Sequence, residues 1–191
     1  TPRPIGLLLG LNGSQNPFSG TNTYKSIADL PLPERVAEMK KDDIKKQILS
    51  EDPIKGSTFP LINRIGFSQM YRFGSPPNYN PKPEDSIESL AKADGISAAE
   101  LAYEILLENE GNNFIYAPLV NYADHTFGVC QKMLEDKNAI MGLGDGGAHV
   151  GFILDSGYPT WLISYWSVKK NIFSMEETVR RLTSDTALAA G

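Results

Sequence analysis

The stretch Ala139–Gly151, AIMGLGDGGAHVG, constrains this chain more than any other. A short apolar run, Ala139-Ile140-Met141, leads into four glycines within six residues, Gly142 to Gly147, with one carboxylate, Asp145, inside the loop. His149, one of only two histidines, follows four residues later. Ala139–Leu143 reads as a buried strand of the parallel-sheet kind, apolar and bounded by glycine. An acid at the end of such a strand stands on the C-terminal rim of the sheet, where α/β folds hold their chemistry. Flanking glycines let the backbone turn sharply and leave room beside the carboxylate for a ligand or ion. The local alternative is a Gly-rich turn whose aspartate caps the following segment.

Gly142-x-Gly144-x-x-Gly147 also has the GxGxxG spacing of a dinucleotide-binding turn after an expected strand. Three features count against that use. Asp145 would turn its negative charge toward the pyrophosphate. No acid stands about 20 residues on, where the ribose partner belongs, since Asp155 comes too early. Too little chain follows to build further βαβ units. A non-catalytic phosphate- or nucleotide-binding module using the Gly142–Gly147 loop is the alternative carried forward.

At 191 residues the chain is long enough for one domain with a core, and its 41% hydrophobic content is that of a globular protein. A net charge of −5 gives no support to a nucleic-acid surface. Cys130 is the only cysteine, which excludes an intramolecular disulfide and a Cys-rich zinc site; it sits in a helical apolar pattern and reads as core. No apolar run approaches the roughly 18 residues of a membrane span, and no signal peptide opens the chain, so the cytoplasm is the expected location. Thr-Pro-Arg-Pro runs straight into apolar Ile5–Leu11, and Ala187–Gly191 stops where a helix cap is due. Both ends read as cut, and the chain is expected to be a piece of a longer polypeptide.

Ile5–Leu11 is a strand candidate, and Asn12–Thr23, rich in Gly, Ser and Asn, reads as loop. Pro33–Ser50 is expected to be one helix whose charges, Glu34, Arg35, Glu38, Lys40, Lys41, Lys45 and Lys46, form a solvated face. Ser75–Pro83 is Pro-rich and irregular. Ser97-x-x-Glu100 is a capping-box signature opening a helix that Gly111 ends. Phe114–Val120 is a strand candidate, and Asp124 is placed to cap a second helix through Cys130 and Leu134. Ser174-x-x-Glu177 opens the last helix, with Val179, Leu182 and Ala187 along one stripe. Strand–helix alternation after residue 97 predicts a parallel sheet, open or closed into a barrel. His125, beside Asp124, reads as a capping or surface histidine. Asp145 and His149 share one loop but cannot by themselves complete a zinc site, which takes at least three protein ligands. No serine or cysteine nucleophile motif is visible.

The stretch MLEDKNAIMGLGDGGAHVGFILDSGYPTWLISYW, followed by MEETVRRLTSDTALAAG, resembles the C-terminal part of the amidohydrolase superfamily, and more narrowly its D-aminoacylase (N-acyl-D-amino-acid deacylase) branch. RPIGLLLGLNGSQNPF and LPLPERVAEMKK are similar to the same branch, ahead of its inserted segment. The resemblance implies an α/β fold, the C-terminal portion of a TIM (β/α)8 barrel of amidohydrolase type, with an irregular helical insertion in the N-terminal half. On this reading 1–20 is strand and loop, 21–96 is the helical, Pro-rich insertion, and 97–191 holds the last β/α units of a single fragment. It implies a hydrolase acting on non-peptide C–N bonds, with zinc as cofactor and a small N-acyl amino acid as substrate. By motif match Asp145 is the general base and a weak zinc ligand.

The family's main zinc ligands come from an HxH pair and from further strand histidines; neither His125 nor His149 stands in such a context. Those ligands are therefore expected outside this chain, and the isolated fragment is expected to be inactive. Binding the substrate carboxylate calls for Arg, Tyr or Lys. Arg72 and Tyr122 are the candidates, with His149 as a further substrate contact, and Arg64 and Tyr71 can also be considered. Neither nucleic acid nor membrane is an expected partner. Exposed strand edges point instead to pairing between copies of the chain. After zinc exposure and exhaustive dialysis, elemental analysis of the 191 residues should find near-zero zinc. About one zinc per chain would mean that Asp145, His149 and His125 assemble a site unaided.

Overall fold

The structure, a computed structural model, describes residues 1–52, 65–142 and 156–191. These divide into two compact units: residues 7–117 make one, and 1–6 with 118–191 make the other.

Strand β1 (Ile5–Gly10) forms where the sequence places it, and so does β3 (Phe114–Val120). A two-residue strand β2 (Tyr71–Arg72) completes a sheet of order β1-β3-β2. β2 runs antiparallel to β3, with Tyr71 opposite Tyr116 and Arg72 opposite Ile115. The sheet is antiparallel, and the expected parallel sheet is corrected. The physical reason is that an apolar run marks a buried strand without marking its direction. At the end of β1 a Cβ on Gly10 would lie 2.5 Å from a ring carbon of Phe114, so only glycine lets the two strands approach there.

Helix α1 (Asn22–Ile27) starts at Thr21, whose hydroxyl accepts from the Tyr24 amide at 3.2 Å. The Glu51 carboxylate reaches the same helix start, taking the amides of Asn22 and Thr23 and the Thr23 hydroxyl. The Thr23 hydroxyl is the chief reason that the Glu51 carboxyl is held below the usual carboxylate range. The helix expected over Pro33–Ser50 is two helices, α2 (Leu32–Met39) and α3 (Asp42–Ser50). Lys41 is extended between them (φ −75°, ψ 134°), and Asp42 and Asp43 then sit in the first turn of α3, where negative charge suits the helix dipole.

Beyond α4 (Ile87–Asp94), helix α5 (Ala98–Gly111) begins as its capping residue predicts, with the Ser97 hydroxyl accepting from the Glu100 amide at 3.1 Å. Regular dihedrals end earlier than Gly111, because Asn109 and Glu110 are already left-handed. Gly111 follows at φ +82°, and a Cβ there would lie 2.6 Å from a methyl of Val36. The Tyr103 hydroxyl, on the buried face of α5, donates to the Met39 carbonyl at 2.7 Å. Phe18 packs edge-on against the same ring, 5.4 Å between centroids. On this partly exposed face the Lys45 ammonium binds Glu104 at 2.6 Å and Glu100 at 3.0 Å, and these bonds raise its pKa.

In the other unit α6 (Gly128–Glu135) is followed by Ala139–Gly142, which form no strand. The strand expected over Ala139–Leu143 is corrected for those residues, while Leu143 lies outside the described residues. A four-residue run, however apolar, is a strand only when a partner edge pairs with it, and none does here among the described residues. Helix α7 (Tyr158–Trp161) continues into a π-helical stretch, Leu162–Lys169. The Ser174 hydroxyl caps α8 (Met175–Leu182), accepting from the Glu177 amide at 3.2 Å, as the spacing predicts. The expected stripe does not hold: Thr178 is the buried residue of α8, and Val179 is 49% exposed. The break is at Thr183 (φ −125°, ψ −87°), which puts Ala187 on a separate helix α9 (Ser184–Ala190) and destroys the common phase. No helix among the described residues is long and apolar enough to cross a membrane.

Tyr103→Phe leaves the buried Met39 carbonyl without its donor, and should lower unfolding stability by about 1–2 kcal/mol in urea titrations. The folded-state carboxyl of Glu51 titrates below its unfolded value, so its contribution is full above the unfolded value and is lost as pH falls through the depressed one. The stability gap between wild type and Glu51→Gln should accordingly close as pH is lowered from about 7 to about 3.

Candidate functional site

The loop that singles out this chain is entered from Ala139–Gly142; Asp145 and His149 lie outside the described residues, as does Arg64. What the structure describes is the approach. Ala139, Ile140 and Met141 line a cavity of about 250 Å³ together with Met133, Leu134 and Leu162, so its wall is mostly apolar. Arg181 and Asp185 also border it. Arg181 is already engaged: it donates to Glu177 at 2.7 Å and to the Leu134 carbonyl at 2.7 Å, and its guanidinium covers the Phe173 ring at 4.5 Å. The Glu177 carboxyl, bonded by Arg180 and then Arg181, is held below the usual range. This is a structural joint between α8 and the end of α6.

On the chain side of α6 the backbone turns twice through left-handed conformations, at Asn121 (φ 67°) and His125 (φ 54°), residue types that tolerate them. The His125 amide donates to the Tyr122 carbonyl at 3.1 Å, and the two rings meet at 5.8 Å. Asp124 does not cap α6 directly. Its carboxylate accepts from the Thr126 amide at 3.1 Å and the Thr126 hydroxyl at 2.8 Å, bonds that hold its carboxyl below the usual range. The Thr126 hydroxyl in turn accepts from the Gly128 amide at 3.2 Å, where α6 begins. The expected cap is thus displaced by one link, because the Asp124 side chain turns back on its own loop.

Tyr122 is buried against Phe127, at the edge of an aromatic cluster. Within it Phe127 meets Trp161, Tyr165 and Trp166 edge-on or tilted, and Trp161 stacks on Tyr165 at 4.7 Å and 11°. The Trp166 indole donates to the Pro2 carbonyl, and the Arg3 guanidinium lies 4.6 Å over the Tyr158 ring. Burial of Arg3 is not suggested by the sequence, since a lone arginine between two prolines near the N-terminus gives no sign of the aromatic face that covers it.

Arg72 pairs with Glu108 on the surface of the unit 7–117. Tyr71, its neighbour in β2, is buried, and burial pushes its hydroxyl pKa up. The structure therefore brings Tyr122 together with His125, and Arg72 with a carboxylate. One residue departs from the sequence reading. Arg35, assigned to a solvated face, is half-buried and donates to the Leu11 carbonyl at 2.9 Å, the Tyr24 hydroxyl at 3.2 Å and the Leu30 carbonyl at 2.9 Å. The Leu11 carbonyl and the Tyr24 hydroxyl lie 24 and 11 residues away, and no local pattern announces them, while the Leu30 carbonyl is only five residues away.

Among the described residues no group of three or more His, Cys, Asp or Glu side chains could hold a metal ion. The chain matches no protein-family model, no curated protein and no solved structure.

Cys130 is fully buried in α6, and burial pushes its thiol up to about 11. It should resist a disulfide-exchange reagent at about pH 8 in the folded protein and react as soon as denaturant is added. Rapid labelling without denaturant would mean that α6 opens readily.

Proposed function

We propose that this chain carries part of a zinc-dependent amidohydrolase that cleaves the amide bond of N-acyl amino acids, with Asp145 as its general base. The observation that carries the reading is the sequence of the Gly142–Gly147 loop, one carboxylate in a run of glycines, together with the Thr183–Gly191 ending. The catalytic domain in this reading is a (β/α)8 barrel of amidohydrolase type. No barrel is shown by the described residues, so the proposal leans on the loop and not on strand geometry.

Zinc, when bound, lowers the pKa of a coordinated water toward neutrality and polarises the carbonyl to be attacked. The three or more ligands that such zinc takes are not found among the described residues. Asp145 would take the proton from the attacking water and pass it to the leaving amine. Its position between glycines leaves the carboxylate without bulky neighbours in sequence. The apolar cavity lined by Ile140 and Met141, directly ahead of the loop, suits the acyl part of such a substrate. For the substrate carboxylate, Arg181 is a poor choice because Glu177 already neutralises it, and Tyr122, Arg72 and His149 are the candidates.

The 191 residues by themselves should show no turnover of N-acyl-D-amino acids. In the longest polypeptide that carries them, loaded with zinc, Asp145→Asn should lower kcat about 10²–10⁴-fold with zinc occupancy unchanged. Activity that survives the substitution would remove Asp145 from the chemistry. A rise in melting temperature with NAD, ATP or phosphate, unaccompanied by any hydrolysis, would favour the nucleotide-binding alternative.

A further inference from the structure

The cavity beside Ala139–Met141 limits what it can hold by its size and its wall. As the described residues define it, its volume is about 250 Å³, and Met133, Leu134, Ile140, Met141 and Leu162 supply its apolar lining. Leu162 is fully buried and Leu134 nearly so, while Ile140 is 56% exposed, so the lining runs from a closed end to an open one. Met141 stands four residues ahead of Asp145 in sequence. Among the described residues the one side-chain cation in this wall is Arg181, which Glu177 engages at 2.7 Å, and Asp185 is held by Arg180 at 2.9 Å. No side-chain cation in the wall is therefore open to an anionic end of a ligand. An apolar cavity of about 150 Å³ takes benzene, so one of about 250 Å³ takes roughly ten heavy atoms.

We infer that this cavity holds the acyl group of the substrate and limits it to an uncharged, apolar chain of about six to eight carbons. Naming the ligand an acyl group rests on the amide-hydrolysis reading, whereas the size limit rests on the cavity alone. Eight carbons with the amide oxygen and nitrogen make up roughly the ten heavy atoms that the space takes. The unbranched thioether side chains of Met133 and Met141 adapt to the shape of the chain that enters. Each methylene that leaves water for this lining raises affinity about three- to fourfold, until the space is full. On an open apolar surface the gain would continue with chain length.

The test titrates the intact 191-residue protein with N-methylacetamide, N-methylhexanamide, N-methyloctanamide and N-methyldodecanamide, neutral mimics of the acyl half, and follows the Met133 and Met141 ε-methyl signals in 13C–1H spectra. N-methylhexanamide should bind about tenfold or more tighter than N-methylacetamide and shift both signals. Affinity should stop rising beyond N-methyloctanamide. Met133→Trp, which fills the space, should weaken N-methylhexanamide about tenfold or more. Met133→Ala, which enlarges it, should move the limit to a longer chain, a gain that a misfolded variant would not show. Equal affinity for N-methylacetamide and N-methylhexanamide would overturn the proposal. So would an undiminished gain from N-methyloctanamide to N-methyldodecanamide, or unchanged binding and length limit in both Met133 variants. In the longest zinc-loaded polypeptide, equal kcat/KM for N-acetyl and N-hexanoyl amino acids would overturn the acyl assignment and leave amide hydrolysis standing. Binding of N-methylhexanamide without hydrolysis of either substrate would overturn amide hydrolysis, and with it the acyl label, and leave the cavity as a site for a small apolar ligand.

Discussion

A buried carbonyl needs a donor, and in the unit 7–117 one side chain meets that demand at two distant points. Arg35 donates to Leu11, just past the end of β1, and to Leu30, in the turn between α1 and α2. Both bonds are part-buried, and a carbonyl left there without a donor would cost up to about 1–3 kcal/mol. Arg35 also holds the Tyr24 hydroxyl, so α1 is tied to the same point. The sheet end, the first helix and the start of α2 are positioned by one planar cation. That arrangement explains why a chain segment as polar as Asn12–Asn16 can border a core without collapsing into it. Tyr103 performs a similar task on the far side of α2, where its hydroxyl closes the Met39 carbonyl.

The other unit is organised by aromatic rings. Phe127, Trp161, Tyr165 and Trp166 pack at 4.7 to 6.2 Å, most of them edge-to-face, the geometry that ring quadrupoles favour. Trp166 adds a polar handle by donating to Pro2, so the N-terminal residues are part of this core and not a loose tail. Arg3 over Tyr158 strengthens the same attachment through a cation–π contact. The described end of α6, where Leu134 accepts from Arg181, then sets the level at which the chain leaves for the Gly-rich loop. On that approach Ala139 and Ile140 are themselves exposed, Ile140 to 56%.

Much of the architecture was legible locally. Ser97 and Ser174 cap helices because a hydroxyl three residues ahead of a helical amide has few better partners. β1 and β3 were visible as apolar runs. The loop from Gly142 to Gly147, with Asp145, and His149 beyond it lie outside the described residues apart from Gly142. Arg35 and Lys45 were not legible, since a charge on an amphipathic helix looks solvated until the carbonyls or carboxylates that approach it are known.

The sequence by itself determined where the helices capped by Ser97 and Ser174 start and that β1 and β3 are largely buried runs, because those depend on interactions within a few residues; the run from Ala139, expected to be buried, leaves Ile140 56% exposed. Only the tertiary structure decided the direction of the sheet, since Tyr71 selects Tyr116 across a long stretch of chain. It also decided that Ala139–Met141 border a cavity instead of pairing as a strand, because strand formation needs an edge that another segment must supply. The half-buried setting of Arg35 belongs to the same class, for its bonds to Leu11 and Tyr24, 24 and 11 residues away, are encoded by no local spacing.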